Sequence, residues 1–328
     1  MLELFKKQNP FTLFFVIIYG FAIRSSIFFI DFSKAYFDPK QPLSFLTDNA
    51  CKLSPQNVSF HYVISTSILL LISIFINLYL KNNKIIDKLG YLPTLLFMLV
   101  SASYSSFLYM SNEFFAFIFF SISIIRLLQS LLVDETDIKV FDAAFFISIA
   151  SLFYKPILPC ILIVFIAIII LKNVQIKAIV FMLIGLLIPY FLLGVYMFLT
   201  DRLSQLAFHI IPELISQMNW YNHQDFLQIS KTIFLGILSL LGFVKIQASL
   251  AKSIVNIRKY YSLLLIISLV YIPMFLINKQ LTTTHFIFLL LPISYYLLNF
   301  LKDMKRIWIS ELIHVALFVL IYFSNINN

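Results

Sequence analysis

This sequence predicts an all-helical bundle that crosses a membrane many times, and three observations predict it. The chain is 61% hydrophobic and 12% charged, with a mean hydropathy of +0.95, whereas a soluble domain carries about 25% charged residues. Its 37 Phe and 17 Tyr present more aromatic surface than a water-soluble interior can hide, and hydrocarbon accepts that surface directly. The charges fall almost entirely in the gaps between apolar stretches long enough to cross a bilayer. No alternating strand pattern occurs, and backbone amides cannot stay unpaired in lipid, so helices remain.

Windows of about 20 residues, set against hydrocarbon about 30 Å thick, place about eleven segments in one transmembrane domain spanning 1–328. They lie at about 11–30, 61–80, 91–110 and 114–133, then a broken pair at about 142–154 and 157–171. The rest lie at about 178–199, 229–244, 261–277, 285–301 and 307–323. With the amino terminus in the cytoplasm, Lys and Arg favour the inner gaps over the outer ones by about twofold. That bias puts Lys139 and Lys172 on the same side, so the 142–171 stretch has to go out and come back. The carboxy terminus then lies outside.

The net charge of +9 is therefore mainly a topology signal. A nucleic-acid partner would need a basic face on a soluble module, and none is visible. The basic gap at 245–260 reads as a topology anchor or as an amphipathic segment lying on anionic lipid. The first 30 residues resemble a signal peptide but lack a small-residue cleavage site, so they read as a retained helix. Cys51 and Cys160 are too differently placed to imply a disulfide framework.

Two long loops, 31–60 and 200–228, are expected on the outer face. The second includes RLSQLAFHIIPELISQM, whose apolar spacing predicts a helix over 203–218 lying along the membrane surface. The string SLFYKPILPC, residues 151–160, is the most specific local signal. Pro156 removes an amide and drives Lys155 out of helical angles. Lys155 is then expected in a recess below the outer surface, either binding phosphate or capping helix carbonyls.

Other ionisable residues at membrane depth carry the same choice between function and structure. Arg24, near the outer end of the first helix, is expected to bind an anion, pair with Asp31 or snorkel. Glu113 opens a helix behind Ser111 and Asn112, where it complements the helix dipole. Glu311 and His314 share one face by their spacing. His209, Glu213 and His223 in the second outer loop are further candidates. No histidine pair has metal-ligand spacing, so no metal or other cofactor is expected. Walker A, G-x-S-x-G and dinucleotide motifs are absent.

The order of features resembles GT-C membrane glycosyltransferases, the group of protein mannosyltransferases and lipid A aminoarabinose transferases. The carriers are FAIRSS followed by a long acidic loop, a helix pair joined by an acid-bearing turn (FLYMSNEFFAFIFFSISIIRLL), a hairpin with Lys-Pro at its tip (FDAAFFISIASLFYKPILPCILIVF), and TTHFIFLLLPISYYLL near the end. Residues 140–195 also resemble a Bacteroidota family of uncharacterised polytopic proteins. The GT-C resemblance implies transfer of a sugar from a polyprenyl-phosphate donor on the periplasmic face of a bacterial inner membrane. It implies that Asp31 or Asp38 is the catalytic base and that Arg24, Lys155 and His285 hold phosphate. Two departures stand out: no paired acid follows the first helix, and His285-Phe286 replaces the usual Arg-Tyr. The alternatives are a non-catalytic subunit of an envelope or secretion assembly, with protein partners, and a lipid or small-solute transporter.

Overall fold

The computed structural model describes residues 2–6, 9–29, 57–86, 89–103, 107–132, 137–171, 176–201, 226–277, 283–302, 304 and 306–326. Among them every regular element is a helix. In chain order these are α1 (Leu2–Phe5), α2 (Pro10–Arg24), α3 (Val58–Asn82), α4 (Leu92–Ser101), α5 (Asn112–Leu132), α6 (Asp137–Phe153), α7 (Ile161–Leu171), α8 (Ile176–Leu199), α9 (Phe226–Leu250), α10 (Val255–Ile277), α11 (Leu290–Lys302) and α12 (Ile307–Ile326). Three 3-10 stretches, Ser25–Phe29, Lys155–Cys160 and Thr283–Leu289, abut α2, α7 and α11. The expected surface helix over 203–218 lies outside the described residues, as does most of 31–60.

Among the described residues six helices are long and apolar enough to cross a membrane: Pro10–Phe29, Val58–Asn82, Asn112–Ser130, Ile176–Leu199, Ser230–Leu250 and Ile307–Ile326. Shorter apolar helices lie at Leu92–Ser101, Lys155–Ile169 and Phe286–Lys302. The outside of the bundle is apolar: on α8, Phe191 is 69% exposed and Leu187 62%. Such rows would be an aggregation hazard in water and are natural against lipid.

Local signals set several helix starts. Pro10 occupies the first turn of α2, where its missing N–H is harmless, and the Thr12 hydroxyl accepts from the Asn9 N–H at 3.1 Å. Asn57 caps α3 by accepting from the Ser59 N–H at 2.9 Å. Pro156 ends α6 and forces the 3-10 stretch that follows, as the sequence predicts.

Side-chain bonds fix the helix directions. α2 and α3 are antiparallel, with Gly20 packed against Leu70 and Arg24 donating to Ser65 Oγ at 3.0 Å. α5 and α6 are antiparallel through Ser123 to the Ala143 carbonyl at 2.7 Å and Arg126 to Asp142 at 3.7 Å. α6 and α8 run parallel, pairing Asp137 with Lys177 at 3.1 Å, Ser148 with the Leu186 carbonyl at 2.7 Å and Ser151 with the Tyr190 hydroxyl at 2.7 Å. Two parallel neighbours require the chain to return between them, so α7 runs back as the charge pattern requires.

The first and last long helices are also parallel. Tyr19 meets His314 at 3.0 Å, Ser25 meets Tyr322 at 3.3 Å and Ser26 meets Asn325 at 3.4 Å. Leu2 and Ile326 therefore sit at opposite ends of the bundle. These ends are called below the Leu2 end and the Arg24 end.

Three boundaries differ from the sequence expectation. The helix expected over 91–110 stops at Ser101, because the carbonyls of Ser101, Phe107 and Leu108 accept from Arg24 instead of from a continuing helix. The anchor expected over 245–260 is largely helix, since α9 runs on to Leu250 and α10 begins at Val255. The helix expected over 229–244 begins earlier, at Phe226, so Lys231 lies inside α9 and is buried.

Candidate functional site

The Arg24 end holds most of the buried chemistry. Arg24, at the last residue of α2, is 1% exposed. Its Nε donates to Thr66 Oγ1 at 3.1 Å, one terminal nitrogen to the Ser101 carbonyl and hydroxyl at 3.3 Å each, and the other to Ser65 Oγ at 3.0 Å and the Phe107 carbonyl at 2.9 Å. The Leu108 carbonyl adds a contact at 3.4 Å. These partners are hydroxyls and carbonyls, and they engage all the guanidinium's directions of donation.

The segment they grip, residues 107–111, lies between α4 and α5 and leads into the first turn of α5, where the Phe115 N–H donates to the Ser111 carbonyl at 3.2 Å. Phe107, Leu108, Tyr109 and Met110 are buried. The Ser65 hydroxyl donates to the Leu108 carbonyl at 2.9 Å, and the Met110 N–H donates to Nδ1 of buried His61 at 3.4 Å. Ser111 then caps α5, accepting from the Phe114 N–H at 3.3 Å. Glu113 follows in the first turn of α5 and is 1% exposed.

Beside Glu113 lies an aromatic collar. The Phe288 ring, in the Thr283–Leu289 stretch, is 5.5 Å from Phe120, 5.6 Å from Tyr271, 6.0 Å from Tyr154 and 6.3 Å from Phe117. Tyr154 stacks on it at 18°. Tyr271 is within electrostatic reach of both Glu113 and Cys160. The collar thus draws together α5, α10 and the two 3-10 stretches that contain Lys155 and His285. Lys155 is half-buried at the start of its stretch.

A second buried cation lies nearby on α9. Lys231 is 1% exposed and donates to Ser324 Oγ at 2.8 Å. Next to Ser324, Asn325 donates to the Ala102 carbonyl at 2.7 Å, one residue past the Ser101 that Arg24 holds. Hydroxyl and amide side chains therefore link the two cations. Sequence reasoning missed Lys231, and the only signal for it was a Lys heading an apolar run between Ser230 and Thr232. It also missed Ser65 and Thr66, an adjacent hydroxyl pair inside an apolar helix.

Of the residues the sequence singled out, the structure gathers Arg24, Glu113 and Lys155 at one end of the bundle. Asp31, Asp38, His209, Glu213 and His223 lie outside the described residues, as does the side chain of His285. Among the described residues no group of His, Cys, Asp and Glu could hold a metal ion.

The chain matches a family of unknown function, DUF6427, over residues 41–328. It belongs to that family. No curated protein and no solved structure matches it. The family match begins after α2, so it excludes Arg24 while including every acceptor Arg24 uses.

Proposed function

We propose that the protein transfers a sugar from a polyprenyl-phosphate donor at the periplasmic face of a bacterial inner membrane. In this reading the chain crosses about eleven times, with the Leu2 end in the cytoplasm and the Arg24 end outside. The observation that carries it is the collar around Phe288, which gathers the stretches bearing Lys155 and His285 beside buried Glu113. At that end the described residues bury two cations, Arg24 and Lys231, against one carboxylate. An excess of fixed positive charge in a water-poor site suits an anionic lipid phosphate.

In the proposed chemistry the bond between the sugar's anomeric carbon and the phosphate oxygen breaks. An acceptor hydroxyl oxygen forms the new bond to that carbon. Its proton passes to the carboxylate of Asp31 or Asp38, and polyprenyl phosphate departs with its charge stabilised by Lys155 and His285.

Purified protein tests the assignment. Lys155→Ala is expected to abolish binding of polyprenyl phosphate, while Lys155→Arg keeps part of it. Asp31→Asn or Asp38→Asn is expected to spare binding and stop transfer. A silent Lys155→Met would reduce Lys155 to a structural role. Reporter fusions after Lys88, Lys177 and Lys259 are expected to read cytoplasmic, and one after Asn222 periplasmic. A cytoplasmic signal at Asn222 overturns the orientation.

A second reading, a non-catalytic subunit of an envelope assembly, draws on α8. That helix turns inward only the narrow stripe Ala178, Met182, Gly185, Pro189, Leu193 and Met197. Stable co-purification of partner proteins, with no dependence on added lipid, would favour it.

A further inference from the structure

We propose that Arg24 is a positioning residue. It holds the 107–111 segment, and through it the Glu113 end of α5, without itself touching a ligand.

Backbone that leaves the helix at membrane depth must find other partners for its polar groups. In the 107–111 segment those partners include side chains from two helices. Arg24 of α2 takes the carbonyls of Phe107 and Leu108. Ser65 of α3 also takes the Leu108 carbonyl, and His61 of α3 accepts the Met110 N–H. Arg24 in turn is held by Ser65, Thr66 and Ser101, so one planar fork ties α2, α3, α4 and the segment together. Those acceptors lie in several directions around the plane. A Lys ammonium offers three donors at one point and cannot reach them all. A guanidinium committed in this way presents no face to a phosphate. What it sets is the placement of Ser111, which caps α5, and of Glu113 two residues on.

The test separates hydrogen-bond geometry from charge, and only its lipid arm rests on the glycosyltransferase reading. A Cys is placed at buried Met110 in a chain carrying Cys51→Ser and Cys160→Ala, and labelling by a membrane-impermeant maleimide is timed in that background alone and with Arg24→Lys, Arg24→Gln or Ser65→Ala added. Farnesyl phosphate binding is measured in the same proteins without the added Cys. Both Arg24 variants are expected to label Met110→Cys about tenfold faster and to lose farnesyl phosphate affinity together, because both break the fork. Ser65→Ala, which removes one arm of the clamp and leaves the charge, is expected to show a smaller rise in labelling. It keeps the question open to measurement should the Arg24 variants not fold.

Three results overturn the proposal. One is Arg24→Lys matching the unchanged protein in both arms while Arg24→Gln loses farnesyl phosphate, which would make the charge a ligand contact. Another is Met110→Cys staying protected in Arg24→Gln. The third, where the Arg24 variants do not fold, is Ser65→Ala labelling no faster than the unchanged chain. If the unchanged protein itself fails to bind farnesyl phosphate, the glycosyltransferase reading falls and the labelling arm still decides the role of Arg24.

Discussion

The two ends of the bundle solve the same problem in opposite ways. At the Arg24 end, Arg24, Glu113 and Lys231 are buried, and the backbone departs from the α-helix in Ser25–Phe29, Lys155–Cys160 and Thr283–Leu289. At the Leu2 end the helices run to ordinary termini and most charges stay at the surface, as with Lys252, Arg258 and Arg306. His314 is the buried exception there, bonded to Tyr19 and stacked on its ring at 5.6 Å. A fold that only needed to span a bilayer would resemble the Leu2 end throughout. Buried ionisable groups and irregular backbone are expensive in lipid, so their concentration at one end is what the proposed function draws on.

The contrast can be broken by substitution, and the largest effect is expected at Arg24. Arg24→Met strips the donor from Thr66 and from the Phe107 carbonyl, and leaves other buried acceptors short. The loss should be at least about 3 kcal/mol, read as a sharp drop in melting temperature in detergent. Nearer the Leu2 end, volume is expected to matter more than charge. A Cβ at Gly242 would run into the Tyr296 carbonyl, so Gly242→Ala should cost about 1–3 kcal/mol. Gly236 on the same helix has open space around it, and Gly236→Ala should not destabilise, which makes it the matched control.

A smaller effect is expected at the second cation. Ser324→Ala removes the hydroxyl that accepts from Lys231 and should cost about 1–2 kcal/mol in the same melting assay. The least effect belongs to the Leu2 end. Asp137 pairs with Lys177, whose side chain is 70% exposed, so Asp137→Asn should change stability by less than about 1 kcal/mol. A large loss there, or a silent Arg24→Met, would erase the distinction between the two ends.

Much of the fold was legible because bilayer crossing writes itself into local sequence. The break at Pro156, the return of α7 and the cap before α5 all follow from residues within a few positions of the feature. What was not legible depends on contacts between distant segments. The serines at 101, 103, 105 and 106 give only a weak local sign that the helix ends, and the residue that claims the Ser101 carbonyl lies in α2. The burial of Arg24 was hidden for the same reason: an Arg at a helix end is as compatible with snorkelling as with a clamp. Lys231 read as an ordinary flanking charge because its acceptor, Ser324, comes 93 residues later. The collar around Phe288 gathers α5, α10 and two 3-10 stretches, and no window of sequence contains them together.

The clamp on Arg24 also has a consequence for how the chain is made. If these helices are inserted in chain order into a bilayer, Arg24 enters it with α2, but Leu108, the last acceptor it needs, is 84 residues further along. At about 5–20 residues per second, synthesis takes several seconds to deliver that partner. Until then the guanidinium has to remain at the water boundary, so α2 cannot settle to its final depth as it is inserted. α2 is therefore among the helices seated late, and biogenesis of this protein should be most vulnerable in the interval before α4 and the 107–111 segment arrive.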